Sequence, residues 1–486
     1  FIYTLFNPSK DLQWIEKFEW IRFSLGNFGV LSVDYFLALD GLGMVMIWLS
    51  ALVMWVGAIA SITIQKQIKG YFSLYLILTG SVMGCFLAWD FFLFYIFFEF
   101  MLLPMFFLIG IWGGERREYA SLKFFIYTLV GSLLILVAMI ALYLSIFDPE
   151  KTRQKMQMNN VEEVYKSIQT QKNFEEDIVH SFNIQVMQKK DNFLPKSILS
   201  FENTSISNWH TWIFGLLVIG FLIKLPSVPF HTWLPDAHVE APTPVSVVLA
   251  GILLKVGGYG ILRFGYGIFP DVAQSYSIFL AILAIISILY GAMNALAMSD
   301  LKKMVAYSSV SHMGFVLLGF ASHTEEGIKG GIFQMFSHGI LSAMLFILVG
   351  VLYDRTHNRN IENYRGLSQK MPFYTSFVMI GFFASLGLPA FSGFVGEVFT
   401  LLGAFKSEQL GVVYASLGAF GIVLGAGYFL WTLQRMFLGN FWIREEINIE
   451  KNQLHDLTLS EWFMLLVLAI ISFMIGIIPS IIFSKL

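Results

Sequence analysis

Apolar runs of about 18 residues or more, the length an α-helix needs to cross a bilayer, recur along almost the whole 486-residue chain. A barrel would show short alternating strands instead, so the pattern predicts an all-α polytopic membrane protein. About twelve transmembrane helices are expected, near 36–63, 70–90, 91–112, 122–147, 211–225, 242–262, 273–299, 304–321, 331–353, 372–402, 411–438 and 461–483. Composition points the same way: hydrophobic residues make up 56%, charged residues 13%, and mean hydropathy is +0.68. The expected organisation is an N-terminal segment outside the membrane (1–35), a first bundle (36–146), a polar extramembrane insertion (147–210), and the remaining transmembrane helices (211–486).

Against that background, Glu99, Lys224, Lys255, His338 and Glu397 stand alone in apolar stretches. Burying such a group at mid-bilayer costs roughly 2.5 to 3.5 kcal/mol, and residues that meet this cost mark ion or proton paths. Glu99 next to a buried lysine would stay ionised and hold that lysine charged, which makes a two-state switch if Lys224 is the partner. Lys255 lies too far inside its run to reach water by snorkelling, and is expected to handle protons or pair with a charge. His338, with His312 in the stretch SSVSHMG, could relay protons, because imidazole titrates near neutrality. Asp40 and Asp90 lie near predicted span ends and read as structural. Asp236, His238 and Glu240 fall in a proline-rich turn that argues against a metal site.

Two spans are interrupted. Pro226 and Pro229 follow Lys224, while Pro389 and Gly393 precede Glu397. Proline removes a backbone donor and clashes with the preceding turn, so both helices should break inside the membrane. Paired breaks suggest inverted internal repeats with a polar site between them.

The single cysteine, Cys85, excludes an intrachain disulfide framework and a cluster held by several thiolates. Gly41-Leu42-Gly43 lacks the strand–turn–helix context of a nucleotide loop. No cofactor is therefore expected on this chain, and no nucleic acid. If the spans alternate, basic residues gather on one side, from Lys66, Lys69, Arg116 and Arg117 through Lys302, Lys303, Arg355 and Arg359 to Arg435, Arg444 and Lys451. The short loops opposite carry Arg263, Lys329 and Lys406. The basic side should face cytoplasm or mitochondrial matrix, with Phe1 and Leu486 on the other side. The first twenty residues mix Asp11, Glu16 and Glu19 with aromatics and do not read as a secretory leader.

The runs FLIKLPSVPFHTWLPDAHVEAPTPVSVVLAGILLKVGGYGILRF, DLKKMVAYSSVSHMGFVLLG, QMFSHGILSAMLFILVGVLYDR and LPAFSGFVGEV resemble the antiporter-like membrane subunits of respiratory complex I. The resemblance implies a proton path in which Glu99 pairs with Lys224, Lys255 is the central carrier, His312 and His338 relay, and Glu397 ends the route. Glutamate at that last position is similar to the subunit 4 branch; subunits 2 and 5 and the multisubunit cation/proton antiporters usually place lysine there. The resemblance further implies a subunit of an NADH:ubiquinone reductase in the mitochondrial inner membrane, with NADH, FMN, iron-sulfur clusters and ubiquinone held by partner subunits. Subunits 2 and 5, accessory subunits and lipid are the expected neighbours. That branch has two further helices before Leu39-Asp40-Gly41-Leu42, which are expected to be missing here or supplied by a separate chain. The 49 phenylalanines suit an AT-rich organellar genome.

Overall fold

The computed structural model describes residues 5–26, 29–170, 175–195, 197–200, 207–444 and 454–486. The expectations for Phe1 and Lys451, and part of the 147–210 insertion, lie outside the described residues. Transmembrane helices dominate. They are α1 (Gly41–Thr63), α2 (Ile68–Leu87), α3 (Phe91–Trp112) and α4 (Arg117–Ser145), then, after the insertion helices α5 (Pro149–Met156) and α6 (Val161–Thr170), α7 (Ser207–Lys224) and α8 (Trp233–Glu240). The second half contains α9 (Thr243–Tyr266), α10 (Ser277–Ala297), α11 (Leu301–Ala321), α12 (Glu325–Thr356), α13 (Pro372–Ser385), α14 (Ser392–Lys406), α15 (Gly411–Phe437) and α16 (Leu459–Ile477).

Ten of these are long and apolar enough to span a membrane. The two remaining expected spans are the ones proline breaks. One ends at Lys224 and resumes as α8; the other is divided into α13 and α14, with Gly387 and Ala390 at positive φ between them. Pro226, Pro229 and Pro389 all lie in the breaks, but Gly393 does not. It is the second residue of α14, where a Cβ would come within 2.2 Å of the Ala384 carbonyl, so it permits close approach of the two half-helices rather than interrupting them.

Helix starts follow local chemistry. Asp40 accepts from Gly43 N, Asp90 from Phe92 N and Leu93 N, and Asp300 from Lys302 N and Lys303 N, each satisfying donors that a helix end leaves free. Thr458 and Glu461 form a reciprocal capping box at α16.

The all-α expectation misses a small sheet. The chain before Asp40, expected to enter the membrane at about residue 36, instead forms an antiparallel hairpin of β1 (Gln13–Ser24) and β2 (Val30–Leu39). β3 (Val179–Ser181), from the insertion, adds parallel to β2. Lys151 on α5 locks this arrangement, bonding Ser32 Oγ at 2.7 Å and Asp34 Oδ1 at 2.6 Å on β2. The sheet covers one end of the bundle, and the chain's final residues lie at that same end, where Lys485 Nζ donates to Phe6 O. The basic loops lie at the other end, as Arg355–Glu461 and Arg359–Asp300 illustrate.

The centre of the bundle is α9, α11 and α12, whose most apolar windows are 94%, 89% and 100% buried, against 28% for α15 and α16. Ionisable groups on the first three are therefore enclosed by protein.

Candidate functional site

α9 departs from α-helical geometry on both sides of Lys255. Leu249–Leu253 and Ile261–Tyr266 are π-helical, an arrangement that redirects backbone carbonyls and often occurs at functional sites. The Ala250 carbonyl, five residues before Lys255, accepts a 2.5 Å bond from its Nζ. Nζ also lies 2.6 Å from His338 Nδ1, which accepts from the ammonium when the imidazole is neutral. Both residues are buried, and among the described residues the lysine's bonding partners are this carbonyl and this imidazole, with no carboxylate.

From there the polar groups run toward α14. The His338 and His312 rings are 5.6 Å apart, and His312 Nδ1 is 3.3 Å from Glu397 Oε1. Gln334 Nε2 also approaches His312 Nδ1, at 3.4 Å. A cavity lined by both histidines, Gln334, Ser308, Ser309 and Ser385 leaves ≈ 10 Å³ for a water's centre. That is about the room one water needs, and the lining supplies its partners. Gly387, at φ +83°, faces the carboxylate: a Cβ there would come within 2.7 Å of Glu397 Oε2. Four of the six expected path residues, Lys255, His338, His312 and Glu397, thus form one buried line.

The other two are near each other without bonding. Lys224 Nζ lies 4.9 Å from the Phe98 ring centroid and 5.7 Å from that of Phe124, and it has no hydrogen-bond partner; neither has Glu99 Oε1. The charges are within electrostatic reach of each other, but no ion pair closes between them. No direct hydrogen bond joins Lys224 to Lys255. α7 packs on α9 backbone to backbone at Gly257, where a Cβ would come within 2.6 Å of Leu225 N.

Two groups to which the sequence reading gave other roles, His238 as a candidate metal ligand set aside and Lys302 as a basic loop residue, are buried on the basic side. His238 is fully buried, stacked on Phe346 at 4.4 Å, with both ring nitrogens unpartnered, and it interacts electrostatically with Lys302 and Lys255. Lys302 is buried with its Nζ 2.6 Å from Ala241 O, whereas its neighbour Lys303 is partly exposed. No periodicity separates the two lysines; only the packing of α11 against the α8–α9 turn does. The carboxylates flanking His238 turn away to other partners, Asp236 to Lys123 at 2.6 Å and Glu240 to Arg116 N at 2.9 Å.

Residues 88–170 and 179–425 match the family described as NADH:quinone oxidoreductase/Mrp antiporter, TM. The chain belongs to this family. It is similar to NADH-quinone oxidoreductase subunit M of Rickettsia typhi, with 38% identity over 96% of this chain and 83% of the relative. It also resembles NADH-ubiquinone oxidoreductase chain 4 of Chondrus crispus, with 36% identity over 95% and 85%. Among solved structures, a chain of respiratory complex I from Thermus thermophilus superposes with a TM-score of 0.75 at 30% identity, over 97% of this chain and 87% of that one. A chain of the Mrp complex from a Dietzia species gives 0.73 at 20% identity, over 93% and 83%, a likeness of fold alone. In this antiporter-like family the line from Lys255 to Glu397 acquires a function to test.

Proposed function

We propose that the chain is a subunit 4-type membrane-arm subunit of proton-pumping NADH:ubiquinone oxidoreductase, placed in the mitochondrial inner membrane. The observation that carries this reading is the buried line Lys255–His338–His312–Glu397 in a chain whose relatives are named as subunits of NADH-quinone oxidoreductase. In this reading the basic end faces the matrix and the sheet end the intermembrane space. NADH, FMN, iron-sulfur clusters and ubiquinone belong to partner chains, with subunits 2 and 5, accessory subunits and lipid as neighbours.

A proton enters from the basic end past Lys302 and His238 and reaches Lys255. Lys255 Nζ gives its proton to His338 Nδ1, and the opposite ring nitrogen releases one toward the water-sized cavity. His312 takes it and passes it to Glu397. Glu397 then releases the proton toward the sheet end, the next proton to arrive recharges Lys255, and every group is back in its starting state. Glu99 and Lys224 act as the control: with the pair open, as here, Lys224 is unheld and its charge repels that of Lys255; with the pair closed, the repulsion is partly cancelled. Moving one charge outward costs about 2.3 kcal/mol per 100 mV, so the driving change must be transmitted from neighbouring subunits.

Native-gel separation of membranes in mild detergent, with an NADH-dehydrogenase stain and mass spectrometry, tests the assignment. Co-migration of this chain with a very large NADH-oxidising band is expected. Migration in a smaller assembly without that activity would favour a multisubunit cation/proton antiporter, to be followed by an assay of sodium-dependent proton exchange.

A further inference from the structure

The described buried cations are Lys224, Lys255, Lys302 and Arg263, and the proposed path leaves Arg263 unused. It lies on the Lys255 helix, eight residues nearer the sheet end and about 12 Å away by helical rise. Its Nη2 bonds Asp40 Oδ2 at 2.7 Å, its Nε bonds Tyr259 Oη at 3.2 Å, and its guanidinium stacks 4.3 Å from Trp89. Asp40, the N-cap of α1, also borders a groove at the sheet end lined by Asp11, Glu325, Lys329 and Lys485. The pair therefore stands between that groove and the buried lysine: Arg263 faces the core, 8% exposed, and Asp40 faces the groove, 18% exposed.

We propose that the Arg263–Asp40 pair is an electrostatic barrier that closes the sheet end of the Lys255 helix to returning protons. The inference rests on the pump reading above. A pump that moves protons outward must resist their return through the same protein. A guanidinium cannot lose its charge in a protein, so unlike a lysine it cannot carry the leak that it blocks. A fixed positive charge in a narrow, low-dielectric passage repels cations, protons among them, the device that arginine supplies in water-selective pores. The π-helical turn at Ile261–Tyr266, the Trp89 ring and the Tyr259 hydroxyl hold the guanidinium in place. Asp40 pairs with the cation, limiting the burial cost of the charge without entering the core.

The test uses the whole complex in sealed liposomes, with an imposed pH step and potassium plus valinomycin to clamp the potential. Passive proton leak and NADH-driven proton uptake are measured on the same preparation. R263Q/D40N keeps a hydrogen-bonded, neutral pair but removes both charges, and with them the positive potential that the inner guanidinium sets up toward Lys255. Its leak is expected to rise about twofold, because the carboxylate removed with the guanidinium lies bonded on its groove side and had already cancelled most of the tenfold effect that one charge about 12 Å away would have at an effective dielectric of about 20. R263K, which keeps the charge, should leak less than the double variant. An assembled R263Q/D40N complex with wild-type leak overturns the proposal, and so does failure of that variant to assemble, since the pair would then serve the fold. R263K leaking as fast as the double variant overturns it as well. Absence of NADH-driven uptake in the unmodified complex defeats the pump reading and not the barrier, whose readout needs no NADH.

Discussion

At the scale of single residues, the proposed path divides into groups that are satisfied and groups that are not. Lys255 has two partners, the Ala250 carbonyl and His338, and is held in one geometry. Replacing it with alanine removes the proposed central carrier while leaving two neutral acceptors behind. Lys255→Ala should therefore abolish pumping while the complex still assembles, read as NADH-driven proton uptake against band intensity on a native gel. Glu99 and Lys224 each bury an unpartnered polar atom, a cost of about 1–3 kcal/mol for each group. Glu99→Gln and Lys224→Ala each remove a charge that closes no ion pair, so neither should weaken assembly, whereas both should lower pumping and quinone reduction together. Normal turnover in either variant would remove the control role from the pair. The lone charges in apolar runs were visible in the sequence because hydropathy isolates them. His238 and Lys302 were not, since each sits among polar neighbours that lead elsewhere in space.

At the scale of elements, the breaks were legible and their geometry was not. Pro226, Pro229 and Pro389 announce interruptions through missing donors. The π-helical turns around Lys255 depend on how α9 packs against α7 and α12, which no local pattern records. The hairpin of β1 and β2 also escaped, because residues 1–35 are expected only to lie outside the membrane and the apolar end of β2 reads as the start of the first span. Its attachment to the insertion carries a pH dependence. His180 on β3 lies against Tyr143, with its Nδ1 2.8 Å from Ile146 O, and burial lowers its pKa from the ordinary value near 6.5, outweighing the carbonyls that raise it. A depressed histidine favours the folded state fully above about pH 6.5, and that contribution is lost as pH falls through the folded-state value. Hydrogen-exchange protection of Val30–Ser32 and Val179–Ser181 should therefore fall on acidification below pH 6.5, and His180→Phe should flatten the response.

At the scale of the whole molecule, the three most buried helices carry Lys255, His312 and His338, α14 adds Glu397, and the least buried helices form the rim. The rim helix α16 is tied in at the basic end, where Arg355 on α12 makes a two-pronged contact with Glu461 at 3.0 and 2.7 Å and bonds the carbonyls of His455 and Asp456. Asp456 in turn accepts from Phe373 N and Tyr374 N at the start of α13. Arg355→Ala leaves a half-buried Glu461 without its cation, though still bonded to Thr458, a loss of about 1–3 kcal/mol. The expected result is protease access to the loop before α16 and less assembled complex, without a change in proton-to-electron ratio in what assembles. The sequence by itself determined that this chain is a helical polytopic membrane protein, where two apolar stretches break, and which isolated charges lie within apolar runs. Hydropathy, proline stereochemistry and the cost of burying charge act on short stretches, so one dimension suffices to read them. Only the tertiary structure decided that Lys255 meets His338, that Glu99 and Lys224 stay apart, and that Arg263 finds Asp40 across 223 residues. Those outcomes depend on distances between helices, which are set by packing across the bundle and not by any neighbour along the chain.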